Sequence, residues 1–510
     1  MGHLRLYHFY HTVLLITLFL IWTPFVNGNG NQSNGASNPQ YYFGTLMSNP
    51  DRAAGHVASG INTASLTIRW DSFEPQEGVI SESYVQQIQQ YITKFKNAGS
   101  NIVLDFGMHY PPQWVTQVPY CRYVNQFGDA YIVTNEPGRN VLNGVFNQVV
   151  RDKMAAYVGR VFSRINPQDF FAIRIGWGHY AELHYPDKNF AGKKNCYWGY
   201  DSIATNKVSG YLPAGVQLNP VPNWIPGVAS PNNENARAFI EWYLNSLTNF
   251  QTFQISTIRQ FYNGYINALY ADWGVRPGHI EEAIAVNLNG TSFSEQYFQL
   301  QKGHDHARFI AAIPDSNVVV FNTCLNSNYP FPMTASIVNE NSSNPKDWSP
   351  IHYLSWCVAQ HQLPLKLWAE NDGNDNYEAM QRSFERMNSY NLMGIMWAFE
   401  YNLYSDDPIY AHLDEYVNLI AGYNTTDVQD PGLLTNIVLY PIPADKLLTL
   451  KGNGEDAGMK YRIFSVEGKL MLQGELMTET STIMIEKLPK GIYLLKLNDD
   501  KLQVHRFTKY

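Results

Sequence analysis

Ile173-Arg174-Ile175-Gly176-Trp177-Gly178-His179-Tyr180-Ala181-Glu182-Leu183-His184-Tyr185-Pro186 is the stretch that decides the fold. It begins as an apolar strand, is broken by two glycines, and ends in a loop crowded with aromatic and histidine side chains. One carboxylate, Glu182, stands where the strand stops. Apolar strands that feed polar, aromatic tips are how a (β/α)8 barrel presents its working face. Far downstream, Leu365-Lys366-Leu367-Trp368-Ala369-Glu370-Asn371-Asp372 repeats the pattern, with Glu370 at the tip.

Working outward, short apolar runs alternate with helical patterns from Tyr41 onward, the signature of a parallel α/β fold. Strands are expected at Tyr42–Met47, Ser65–Trp70, Asn101–Gly107, Phe171–Trp177, Glu281–Asn287, Asn317–Thr323, Leu363–Ala369 and Gly394–Phe399. Helices are expected at Ser83–Ala98, Gly144–Ile165, Asn235–Ala271, Ser294–Ala312, Ile351–His361 and Tyr377–Ser389. This order favours a closed (β/α)8 TIM barrel over an open doubly wound sheet. No Gly-rich phosphate loop follows a strand, so a nucleotide-binding fold lacks its fingerprint. Two connections, Trp114–Asn143 and Glu182–Asn233, are long enough to wall a cleft.

The character changes after Tyr423. Residues 424–435 read as a linker. Beyond them, alternating runs at Lys446–Lys451, Lys460–Ser465, Lys469–Glu475, Ser481–Glu486, Gly491–Leu497 and Gln503–Lys509 predict a small all-β sandwich over residues 436–510. At the other end, His3, Arg5 and His8 precede an apolar run from Val13 to Ile21, extended through Trp22 to Val26, which is short for a membrane span. Residues 1–28 therefore read as a signal peptide and residues 29–40 as a flexible leader, with no membrane span expected in the mature chain.

Composition narrows the function classes. Charged residues make up 16% and aromatics 14%, which argues against disorder. A net charge of −8 and the lack of a long basic run give no support for a nucleic-acid partner, and none is expected. The 34 tyrosines and 12 tryptophans suit a protein that stacks sugar rings. Cys121, Cys196, Cys324 and Cys357 match no zinc spacing. The first two lie in loop-like sequence where they could pair after export; the other two read as buried thiols.

Two carboxylates at the tips of strands four and seven face one mouth. Hydrolysis of a glycosidic bond needs one carboxylic acid to protonate the leaving oxygen and one carboxylate to attack or to activate water. Glu182 is the expected acid, with Trp177 desolvating it and His179, Tyr180 and His184 raising or holding its proton. Glu370 is the expected nucleophile or base, kept ionised by Asn371 and Asp372. Candidate substrate contacts at other tips are Trp70, Asp71, Asp105, His109, Tyr110, Trp397, Glu400 and Tyr401. Trp368 and Trp397 are expected as a floor for a pyranose. His109, His179 and His184 lack a metal-ligand spacing, so neither a metal nor a cofactor is expected.

Three sets of motifs resemble known families. Tyr440-Pro441-Ile442-Pro443-Ala444-Asp445, Ile463-Phe464-Ser465-Val466-Glu467-Gly468-Lys469 and Gly491-Ile492-Tyr493-Leu494-Leu495-Lys496-Leu497 together resemble the type IX secretion C-terminal sorting domain of Bacteroidota, with Ile442-Pro443 where Asn-Pro is usual. That resemblance implies the type IX machinery as a partner, and a secreted or outer-surface location reached through the periplasm. Thr67-Ile68-Arg69-Trp70-Asp71-Ser72-Phe73-Glu74-Pro75 and Asp105-Phe106-Gly107-Met108-His109-Tyr110-Pro111-Pro112 are similar to retaining clan-A glycoside hydrolases of the β-galactosidase type. That likeness implies an acid/base after strand four and a nucleophile after strand seven. Ala181 stands where the clan has Asn, and Ala181-Glu182-Leu183-His184-Tyr185-Pro186 is instead similar to the acid segment of the inverting β-amylases. The expected function is hydrolysis of an oligo- or polysaccharide. The rivals are a transglycosylase and a surface glycan-binding protein on a decayed barrel.

Overall fold

The computed structural model describes residues 41–136, 138–289, 295–328, 338–424, 438–440, 444–451, 460–465, 469–475, 480–497 and 503–509. The signal peptide, the leader and nearly all of the linker lie outside them. Eight parallel strands close into a barrel in sequence order: β1 Tyr42–Thr45, β2 Thr63–Thr67, β3 Asn101–Asp105, β4 Ala172–Ile175, β5 Tyr265–Tyr270, β6 Val318–Asn322, β7 Lys366–Glu370 and β8 Gly394–Trp397. Closure is made by β1 against β8, with Tyr42 opposite Gly394 and Thr45 opposite Trp397. Strands such as β4 and β6 are buried along their whole length, as expected where helices cover a parallel sheet.

The expected fifth strand is a correction. Glu281–Asn287 lies mostly in a helix, His279–Ala285, whose first turn carries Glu281 and Glu282; acidic side chains there complement the helix dipole. The real β5 is Tyr265–Tyr270, inside the stretch read as one helix over Asn235–Ala271. That helix ends at Arg259. Tyr262-Asn263-Gly264 turns the chain, and the short run after it, apolar but for Asn267, suits a buried strand as well as a helix. The stretch read as a helix over Ser294–Ala312 is two helices, Glu295–Lys302 and His306–Ala311, parted at left-handed Gly303 (φ 80°).

Inside the barrel, Leu46, Val103, Leu269, Val319, Phe321, Trp368 and Met396 form a packed plug. The two long connections rise from the C-terminal ends of β3 and β4 and are pinned together. Gln126 donates to the Asn195 carbonyl (2.6 Å) and accepts from the Tyr197 N–H (2.7 Å). Cys121 and Cys196 lie in these loops as separate buried thiols, so the expected pairing is not made. The Cys121 thiol donates to the Thr116 carbonyl, and that of Cys196 lies 3.5 Å from the Asn125 amide.

The C-terminal strands fall close to where the alternation places them. A three-stranded antiparallel sheet contains β9 Val438–Tyr440, β10 Leu447–Lys451 and β13 Thr480–Met484. A four-stranded one contains β11 Lys460–Ser465, β12 Leu470–Glu475, β14 Gly491–Leu497 and β15 Gln503–Lys509. Leu448, Leu450 and Ile483 of the first sheet share one core with Ile463, Leu495, Leu497 and Phe507 of the second. None of the described helices is long and apolar enough to cross a membrane.

Candidate active site

The β4 tip is built by close backbone approach. After Ile175 the chain doubles back so tightly that a Cβ on Gly176 would stand 1.9 Å from the Ala181 carbonyl oxygen, and one on Gly178 would stand 2.4 Å from that of Glu182. Trp177, Tyr180 and Ala181 all take left-handed φ values, 48°, 53° and 65°. Such strain costs about 1–3 kcal/mol per residue and concentrates where geometry serves function. The result turns Glu182 toward β6, where Oε1 accepts from the Thr323 hydroxyl (2.6 Å). Glu182 Oε2 lies 3.4 Å from His184 Nε2.

Glu370 ends β7 and is buried at 7% exposure. Its partner is Arg174, the one charge in β4. Arg174 donates from Nη2 to Oε1 (3.2 Å), and its Nη1 lies 2.8 Å from Oε2. Burial pushes the Glu370 carboxyl up to about 7 against the pull of Arg174, and the charges of Glu182 and Asp105 add to the push. Burial also raises the Glu182 carboxyl, opposed by the Thr323 bond and the charges of Lys302 and Arg174. The charge of Glu182 is thus felt at Glu370. The guanidinium meets both Glu370 oxygens and favours the ionised form, while Glu182 has one oxygen committed as acceptor and the other against a histidine.

The structure sorts the other expected residues. Asp105 and His109 join the centre: Asp105 accepts from the Gly107 N–H (2.7 Å), and buried His109 feels the charges of Asp105 and Arg174. His179 and His184 lie buried under the β4 loop. Tyr180 and Tyr401 stand half-exposed, 54% and 52%, on the C-terminal face. Asp71 and Tyr110 are tied to the Arg69 guanidinium, by an ion pair and by a ring 4.1 Å beneath it.

Six expected contacts are scaffold instead. Trp368 lies fully buried in the barrel plug against Tyr42, Phe171 and Phe321, so it is no floor for a sugar. Trp397 points outward onto Tyr416, and Trp70 stacks on Tyr157 while donating to Glu74. Trp177 is buried edge-on against Phe106 and Phe253, between the barrel and its helices. Asn371 spends its amide on the Ala398 backbone and on Asp375, stitching β7 to β8, and Asp372 is exposed; neither keeps Glu370 ionised. Glu400, 1% exposed, accepts from Thr45, the Asn49 N–H and Arg52, locking the β8 tip to β1. Glu400→Ala is expected to cost about 3 kcal/mol by stranding those donors, read as a lower denaturant midpoint.

Three residues of the centre were not singled out in the sequence: Arg174, Thr323 and Lys302. Arg174 had a usable signal, a lone cation in an otherwise apolar parallel strand. Thr323, just past the β6 tip, and Lys302, the last residue before the Gly303 helix stop, had only their positions.

The described residues hold no cluster of His, Cys, Asp and Glu suited to a metal. In comparisons with known proteins, residues 438–508 match the family model of the secretion system C-terminal sorting domain. The chain is thus marked for export to the cell surface by type IX secretion. A search of curated protein sequences found no match. The fold is similar to the catalytic domain of the β-amylase of Paenibacillus polymyxa, with a TM-score of 0.53 at 14% identity over 75% of this chain and 98% of that one. It is also similar to the β-galactosidase of the psychrophilic Marinomonas ef1, with a TM-score of 0.50 at 10% identity over 75% of this chain and 59% of that one. These likenesses are of fold: a glycoside-hydrolase-like (β/α)8 barrel, followed by a sorting domain.

Proposed function

We propose that this is an exported glycoside hydrolase in which Glu182 protonates the leaving oxygen. Glu370 is the nucleophile, or the base that activates water. The observation that carries the reading is the unequal pair at the β4 and β7 tips. Two desolvated carboxyls stand at these tips, one held against a guanidinium and the other accepting from a hydroxyl on one oxygen and set beside a histidine on the other. Different surroundings push two carboxyls toward different protonation states, which is what acid and base roles need. The barrel's likeness to glycosidases and its export signal agree with a carbohydrate substrate met outside the cell. The test is a screen of nitrophenyl glycosides and plant or algal polysaccharides, read against the Glu370→Gln variant. Turnover confined to the wild type supports the reading, and equal turnover in both defeats the assignment of Glu370.

The pH profile follows from the pair. Glu370 must be ionised, so kcat/KM falls as pH drops through about 7. Glu182 must be protonated, so the rate falls again as pH rises through its raised pKa, giving a bell. Arg174→Met removes the charge that pulls the Glu370 carboxyl down. Its acidic limb is expected to move up by about one pH unit or more, with kcat lower by about 100-fold. An unmoved acidic limb would show that Arg174 does not set the base.

A further inference from the structure

We propose, resting on the reading of Glu182 as the acid, that Lys302 is a positioning residue: its ammonium, seated beneath His179 and His184, keeps both imidazoles neutral so that the proton between Glu182 and His184 stays on Glu182 Oε2. Lys302 ends the helix Glu295–Lys302 and is buried, 7% exposed. Its Nζ lies 3.3 Å from His179 Nδ1, 3.5 Å from His184 Nδ1 and 3.9 Å from Asp187 Oδ1.

The partners fix the tautomers. His184 Nδ1 is 2.7 Å from the Tyr185 carbonyl oxygen. A carbonyl only accepts, so Nδ1 carries the hydrogen and Nε2 presents a lone pair to Glu182 Oε2. His179 Nδ1 accepts from Lys302 and therefore carries its hydrogen on Nε2. On Glu182, Oε1 already accepts from Thr323, which leaves Oε2 as the atom that bears the acid proton.

A single proton between Glu182 and His184 has two homes. On the carboxyl the pair is neutral and the acid is loaded. On the imidazole the pair is a zwitterion and the acid is spent. Lys302 sits in contact with the imidazole, so its charge opposes an imidazolium at His184 more strongly than it favours the Glu182 carboxylate. The other groups facing His184 are His179, His304, whose ring lies 5.3 Å away, and Asp187. Burial lowers the Lys302 ammonium, while Asp187, shared with Tyr131 and Arg139, and Asp272 support its charge. Burial and Lys302 together push His184 well down, and His179 down to about 2. In the reaction, the hydroxyl at Oε2 gives its proton to the glycosidic oxygen as the bond from that oxygen to the anomeric carbon breaks. The bonding electron pair stays on the leaving oxygen. Glu182 is left as a carboxylate facing Thr323, Arg174 and Lys302, while the new bond to the anomeric carbon forms from the nucleophile.

The test reads the imidazoles directly, by nitrogen NMR of protein labelled at histidine, with the His184 signal assigned from the spectrum of His184→Asn. In the wild type, His184 is expected neutral with its hydrogen on Nδ1 from about pH 5 to 8. In Lys302→Met its pKa is expected to rise against the burial that still holds it down, read by extending the titration to about pH 4, and in Lys302→Arg to stay where it is. With kinetics added, Lys302→Met should lose about tenfold or more on glycosides with poor leaving groups and little on nitrophenyl glycosides, with Lys302→Arg restoring most of the loss. A wild-type His184 that is protonated, or hydrogen-bearing at Nε2, near pH 6 overturns the proposal without any variant having to fold. So does a Lys302→Met protein with an unchanged His184. If no glycan is turned over at all, the acid assignment fails while the imidazole measurement still decides whether Lys302 holds the histidines neutral.

Discussion

Glu370→Gln is expected to lower kcat by about 10⁴-fold while the protein folds as before. The amide keeps the size of the carboxyl and one acceptor for Arg174, but it can neither attack an anomeric carbon nor take a proton from water. The buried Arg174 charge loses its counter-ion, so a modest fall in denaturant midpoint should accompany the loss, and circular dichroism should be unchanged. Glycan affinity measured by calorimetry should survive within about threefold, because the carboxylate acts in the transition state more than in ground-state binding. Wild-type turnover by this variant would remove Glu370 from the chemistry.

Glu182→Gln is expected to divide substrates by leaving group. Proton donation contributes about 10²–10⁴-fold where the leaving oxygen is a sugar hydroxyl, and little where it is a nitrophenolate that departs unaided. Natural glycans should therefore lose kcat by about 10³-fold and activated aryl glycosides by less than about tenfold. A uniform loss on both classes would mean that Glu182 holds substrate and donates nothing.

Much of this was legible in the sequence. Period-two and continuous apolar runs located seven of the barrel strands, and the tips of two of those carry the two carboxyls proposed as catalytic. The fifth strand was not legible, because a short buried run such as Tyr265–Tyr270 has no face to distinguish it from a buried helix turn. Tryptophan at a tip misled for a related reason. The strand alternates, so neighbouring tip residues point to opposite sides, and sequence does not say which side is the mouth. Trp177 and Trp397 went outward to helices and Trp368 went down into the plug. The partners of the carboxyls were harder still. Thr323 reaches Glu182 across 141 positions, and Arg174 reaches Glu370 across 196. Such meetings belong to barrel closure and leave no local trace. In the C-terminal segment the paired strands are antiparallel and near one another in sequence, and the alternation alone placed six of the seven strands closely.

The most direct test of the paired-carboxyl account is a proton NMR time course of purified wild-type protein on the best glycan from the screen, with Glu370→Gln run beside it. The account expects new reducing ends in the wild type, released first as a single anomer whose identity separates retention from inversion, and none in the variant. Glycan that is bound by the wild type yet yields no new reducing ends, or equal release by both proteins, would contradict it.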